Sequence, residues 1–222
     1  MAHLNKYENM AAYNSGSKDT PAFSLVADQN KVIYDAYITN PGNGVYIKYT
    51  DGTYSDYNKL ISGKTPVGVA LKTSACALLL HPSEGASKQW STNTSTQISG
   101  VTTTTDQATA KVDYAGRANT TAVVNSGLAG SAFTFATGAV YADGSDGWLP
   151  SCGEMEQMRM NEVKINNALA LIGGTPLDFE GKWYWSSTQY SAGNSWNWRN
   201  SYSLWFNLTK DRISFCRSVS AF

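Results

Sequence analysis

The sequence predicts an α+β fold, and three observations carry that prediction. Short runs of strand length and composition fill the first part of the chain. Residues 152–174 repeat apolar side chains at helical spacing, and the C-terminal stretch returns to aromatic residues alternating with small polar ones. The chain has 222 residues, enough for one large domain or for one ordinary domain with an appendage, and a sizeable core is possible either way. A composition of 42% hydrophobic and 12% aromatic residues is that of a globular protein.

Residues 1–20 are small and polar and read as a flexible or partner-ordered arm. From Phe23 onward the runs SLVAD, KVIYDAYI and VYIKY have strand character, with Asp28-Gln29-Asn30 and Pro41-Gly42-Asn43-Gly44 as turns. Thr50-Asp51-Gly52 closes a further hairpin into Thr53 and Tyr54. Residues 1–62 are expected to form a small β-rich N-terminal domain for attachment or oligomerisation, with a core too small to stand alone. The second domain is expected over 63–222. In it TPVGVAL and ACALLL, separated by Lys72-Thr73-Ser74, read as central strands. Residues 91–110 are rich in Thr and Ser and read as a long surface excursion with little to bury. Short helices are expected over 117–128 and 131–141.

The strongest helical signal is CGEMEQMRMNEVKINNALALIGG, residues 152–174. Glu154 and Glu156 suit a helix start, where the dipole favours negative charge, and Gly173-Gly174 suits an end. Met155, Met158, Val163, Ile165, Ala168, Leu169 and Ile172 keep a three-and-four spacing with a break near Asn161. They describe a core face rather than a cofactor site.

Residues that carry chemistry are few. Lys and Arg number 17 against 17 Asp and Glu, so the formal charge is zero and there is no electrostatic footprint for nucleic acid or an anionic membrane. The longest apolar run, VGVALKTSACALLL, is broken by Lys72 and is too short to span a bilayer. The start, MAHLNKYENMAAYNSG, lacks the apolar centre of a secretory signal, so folding in the cytoplasm is expected. Cys76, Cys152 and Cys216 are odd in number and have no paired spacing, which argues for buried thiols rather than disulfides or zinc. Two histidines, His3 and His81, cannot form a zinc pair, and Glu154 and Glu156 point to different faces of a helix. Asn119-Thr120-Thr121 and Asn207-Leu208-Thr209 match a glycosylation pattern that has little weight without a secretory signal. No catalytic residue, cofactor or metal is therefore expected.

Four segments, in order, resemble one family. GWLPSCGEMEQM (147–158), INNALALIGGTPL (165–177), WYWSSTQYS (183–191) and CRSVSAF (216–222) are similar to the C-terminal module of diversity-generating retroelement variable proteins. The resemblance covers residues 64 to 222 and implies a C-type lectin-like fold, on the branch related to the formylglycine-generating enzyme. Gln189 stands where relatives often have Glu, and Ser218 where they often have Pro or Ala. The acidic motifs of calcium-dependent sugar-binding lectins are missing, and the three cysteines show no spacing that argues for formylglycine chemistry.

The resemblance implies a receptor-binding protein with a variable region over about 190–216. In such systems mutation at template adenines turns asparagine codons into codons for many residues, but never into Trp, Lys, Gln, Glu or Met. Trp196, Trp198, Trp205 and Lys210 then belong to the framework. The candidate displayed residues are Asn194, Asn197, Arg199, Asn200, Ser201, Tyr202, Leu204, Phe206, Asn207, Thr209, Asp211, Arg212 and Ser214. Interleaved Tyr, Ser, Asn and Arg also have the composition of a paratope, and Arg199, Tyr202 and Arg212 are the expected anchors. The expected protein is a non-enzymatic phage tail-tip adhesin carried on the virion. It would bind a host-cell surface receptor as a homo-oligomer, a trimer by analogy with tail tips, and join phage tail proteins through its N-terminal region. A bacterial surface adhesin of fixed specificity and, third, a formylglycine-generating-type enzyme are the alternatives.

Overall fold

The structure, a computed structural model, describes residues 22–28, 31–199 and 204–222. The expected N-terminal arm and the candidates Asn200, Ser201 and Tyr202 lie outside the described residues. Strands β1 (Ala22–Asp28) and β2 (Lys31–Tyr37) pair as an antiparallel ribbon. The next four strands are β3 (Gly44–Tyr49), β4 (Tyr54–Asp56), β5 (Pro66–Lys72) and β6 (Ala77–Gln89). Five short helices follow: α1 (Gln107–Ala110), α2 (Gly116–Asn125), α3 (Ser131–Thr137), α4 (Cys152–Met160) and α5 (Glu162–Leu171). The chain closes with β7 (Tyr184–Gln189), β8 (Asn194–Arg199), β9 (Leu204–Thr209) and β10 (Ile213–Ser220).

Eight of these strands form one mixed sheet in the order β4-β3-β5-β6-β10-β7-β8-β9. Only the β10–β7 pair is parallel. The continuous apolar run in β5 becomes a strand buried on both sides, as such runs require. Val69, Leu71, Leu78 and Leu80 join Ile165, Ala168 and Leu169 of α5 in the main core, while Ala70 and Leu79 belong to a second cluster with Tyr54 and Tyr141. Gly68 is required by close approach, since a Cβ there would come 2.4 Å from the Leu80 carbonyl oxygen. Helix α3 closes the sheet over β6 and β10, where Phe133 meets Trp90 edge-on at 4.9 Å.

The helical reading of 152–174 resolves into α4 and α5, with Asn161 capping both at the expected break. Ser151 and Glu154 form the capping box that starts α4. Gly173, at φ 71°, takes the left-handed conformation that ends α5. Met155, Met158, Ile165, Ala168 and Leu169 are buried, but Val163 is 75% exposed. The break resets the helical phase and turns that position to solvent.

Two expectations are corrected. The fold is not the anticipated α+β, C-type lectin-like arrangement: it is β-rich, with short helices laid against a single eight-stranded sheet. The physical reason is the long-range pairing of β6 with β10, two strands far apart in sequence whose joining no local periodicity can report. The second correction is partial and concerns residues 91–110: the segment lies mostly at the surface, as expected, but it buries Ile98 and Val101 with Trp90 and Trp185.

Candidate functional site

The strand pair β8–β9 holds the aromatic segment singled out in the sequence. Its register sets Trp198 opposite Trp205 and Trp196 opposite Asn207. Trp198 and Trp205 meet edge-on at 4.8 Å, and Trp196 meets Trp205 at 6.5 Å and Tyr190 at 5.0 Å. The Trp196 indole donates to the Thr104 carbonyl at 2.8 Å, and the Arg159 guanidinium lies 5.4 Å from the Trp198 ring centre. All three rings are buried, which the alternation of strand side chains requires once one face is a core. Trp185 is also buried, and Trp183 is half-buried against Phe206, with ring centres 5.2 Å apart.

Lys210, just past the end of β9, is buried, and no carboxylate among the described residues pairs with it. Its ammonium donates to the Gln189 Oε1 at 2.7 Å, the Ala192 carbonyl at 2.7 Å and the Thr96 carbonyl at 3.1 Å, and sits 4.7 Å from the Trp90 ring centre. Burial pushes its pKa down to about 8. Gln189 extends the knot: its amide donates to the Ile98 carbonyl at 3.0 Å and to Thr103 Oγ1 at 3.1 Å. One lysine and one glutamine therefore tie the 91–104 segment, the β7–β8 turn and the β9–β10 turn together. The sequence marks Lys210 as framework by codon logic alone; nothing local shows what it holds.

The remaining candidates separate into two groups. Asn207, Thr209, Asp211 and Arg212 are exposed, and Phe206 is half-buried. Asn194 is half-buried and donates to Asn207 Oδ1 at 2.6 Å. Arg199 and Leu204 are the paired ends of β8 and β9. Asn197 and Ser214, read from the sequence as displayable, are instead buried: Asn197 Nδ2 donates to Ser214 Oγ at 2.9 Å, which donates to the Trp183 carbonyl at 2.9 Å. They serve the frame. The exposed rim also includes Ile213, 63% exposed, which hydrophobicity alone assigns to a core.

Elsewhere the titratable groups serve the scaffold. Glu154 accepts from the Ser151 amide at 2.9 Å and the Trp148 indole at 3.2 Å, yet burial raises its pKa to about 7. Gly116 packs so close that a Cβ would come 2.0 Å from the Glu154 carboxylate. Glu84 accepts from Lys182 at 2.6 Å and from the Tyr184 hydroxyl, beside Arg217, whose guanidinium also donates to the His81, Pro82 and Thr175 carbonyls. The His81 ring packs edge-on against Tyr141 at 5.0 Å. Cys152 and Cys216 are buried and Cys76 is half-buried, all as free thiols. Of the two glycosylation patterns, Asn119 is buried and bonded to Asp113, whereas Asn207 is exposed. Among the described residues no group of three or more His, Cys, Asp or Glu could hold a metal, and no helix is long and apolar enough to cross a membrane.

No family model matches the chain, and no curated protein matches it. Among solved structures it is similar to a fimbrial protein from Bacteroides ovatus ATCC 8483, with 14% sequence identity and a TM-score of 0.57. The fold resembles that of a fimbrial protein. The match covers 80% of this chain and 48% of that one, so the chain spans about half the length of the structure it resembles. At this identity the likeness concerns the fold alone, and it agrees with the β-rich architecture rather than with a C-type lectin-like one.

Proposed function

We propose that this protein is a surface-displayed binding module of adhesin type, whose ligand contacts come from the exposed rim of β9 and the β9–β10 turn. One observation carries the reading. Within one strand pair and the turn that follows it the tryptophans are buried, while Asn207 and Thr209 of β9 and Asp211 and Arg212 of the turn stay exposed. A rim fixed in this way binds without first ordering itself, which lowers the cost of association. Its amide, hydroxyl, carboxylate and guanidinium groups suit hydrogen-bonded recognition rather than a catalytic step.

The same division is what a diversity-generating retroelement would need, because the rim can change while the frame stays whole. Of the two settings, a bacterial surface and a phage tail tip, the likeness to a fimbrial protein supports the bacterial surface. The receptor is then a molecule met outside the cell. Replacing Asn207, Thr209 and Arg212 together with Ala is expected to weaken attachment to target cells by about tenfold or more. Stability should change by no more than about 0.5 kcal/mol per site, since each is exposed. A cell-binding assay beside a thermal melt checks both, and undiminished attachment by the folded variant would refute the proposal.

A further inference from the structure

We infer that the free edge of β9 is a self-association surface on which a second copy of this chain pairs antiparallel, across a two-fold axis centred on Asn207. This goes beyond the receptor-binding reading and does not depend on it. The starting observation is which backbone groups point outward. In an antiparallel pair, opposed residues alternate between those that exchange hydrogen bonds and those that do not. The Lys210 amide donates to the Gly193 carbonyl at 3.0 Å, which continues the β8–β9 register as a bonded pair. The Asn194 carbonyl, opposite Thr209, instead accepts from the Tyr190 amide at 3.1 Å on the β7 side. The alternation then directs the N–H and C=O of Leu204, Phe206 and Leu208 toward β8. Those of Trp205 and Asn207, and the N–H of Thr209, point away from it, to an edge where, among the described residues, no strand lies, while the Thr209 carbonyl accepts from the Arg212 amide at 3.0 Å in the β9–β10 turn.

Among the described residues that edge has none of the usual protection. Natural edge strands carry a lysine, a proline, a bulge or a covering segment, because open backbone groups recruit another strand. β9 reads Leu-Trp-Phe-Asn-Leu-Thr, without charge or proline, and its register with β8 runs unbroken through every pair.

The edge is also complementary to itself. A two-fold axis at Asn207 sets that residue opposite the partner's Asn207, and Trp205 opposite the partner's Thr209. These are the residues whose N–H groups point outward, so Asn207 exchanges both of its backbone bonds across the axis and the outward N–H of Thr209 meets the carbonyl of the partner's Trp205. On the other face Phe206 falls opposite the partner's Leu208, joining half-buried apolar side chains. A formal charge of zero leaves no long-range repulsion between copies. The contact is small, so the dimer is weak and depends on concentration. Strand side chains stand perpendicular to the sheet, so Asn194, Asn207 and Thr209 stay accessible, and the two rims merge into one bivalent surface.

Sedimentation equilibrium on the full chain, with no ligand present, tests this. The mass is expected to rise with concentration from the 24.0 kDa of one chain toward twice that value. Asn207→Pro removes an outward N–H and leaves the β8 ladder untouched, as edge strands tolerate. It should raise the dissociation constant about tenfold or more, because symmetry deletes the bond twice. Asn207→Ser keeps the backbone donor and should dimerise as the native chain does. If Asn207→Pro fails to fold, Asn207→Lys puts two ammonium groups side by side at the axis and should also yield the monomer. A native chain that stays at 24.0 kDa throughout overturns the inference, as does a Pro or Lys variant that dimerises undiminished. Either result would leave the edge to a peptide partner or to another segment of this chain.

Discussion

The two edges of the eight-stranded sheet are built differently. β4 has three residues and ends on Asp56, and the backbone of Ile38 covers its outer side by exchanging hydrogen bonds of 2.7 and 2.8 Å with Tyr54. Beside it Lys48 of β3 pairs with Asp143 at 2.8 Å. β9 has six residues, no charge, and no covering strand among the described residues. Short length, charge and a capping segment stop a sheet from growing, so β4 is an ending. At β9 none of these protections occurs among the described residues, and buried tryptophans and a buried lysine pack behind the strand. An edge supported in this way and left uncovered by the described residues is suited to contact with another molecule.

The largest expected effect breaks the open edge at its root. Trp198→Ala removes a ring that is 2% exposed and packed on Trp205, and should cost about 3–5 kcal/mol in denaturant unfolding. A loss below about 1 kcal/mol would mean that β9 is held by something other than its aromatic frame. Lys210→Met keeps the side chain's bulk and deletes three hydrogen bonds, one of them to the buried Gln189 amide oxygen. It should cost about 3 kcal/mol, with faster amide exchange in the 91–98 and 189–193 segments than around β4. Equal exchange at the two edges would contradict the role given to this lysine.

Glu154→Gln sharpens the comparison by acting away from both edges. The Glu154 pKa stands at about 7 in the folded protein, above the usual value of 4.5, because burial penalises the charged form. The folded state therefore holds a proton that the unfolded chain releases. The associated stability is complete below pH 4.5 and is lost as pH rises through about 7. The loss should be on the order of 3 kcal/mol in the native chain and absent in Glu154→Gln, as followed by melts across that range. An unchanged slope in the variant would assign the pH dependence to other groups. The smallest change in stability belongs to the exposed rim, where the effect falls on binding instead.

Local features were the most legible. The helical stretch at 152–174 could be read down to its break at Asn161, because apolar spacing and capping residues act within a few positions. Strands β5 and β6 could be read from their apolar runs, and the burial of Trp196, Trp198, Trp205 and Lys210 agrees with their reading as framework. Asn197 and Ser214, candidates for display by codon logic, are buried, because they bond to each other and to the Trp183 carbonyl, partners remote in sequence that no local pattern reports. Gln189 and Lys210 gave no local sign of their shared knot, since the oxygens they meet belong to segments remote in sequence.

By itself the sequence determined which residues could be strand, helix or turn, and which side chains were too large and apolar to remain in water. Periodicity and transfer free energy act residue by residue and leave their mark on the chain. Only the tertiary structure decided that β10 lies between β6 and β7, that one sheet replaces the expected α+β arrangement, and that β4 is covered by Ile38 while β9 has no covering strand among the described residues. Strand pairing joins backbone groups that every residue possesses, so a strand's sequence says little about its partner or about having none.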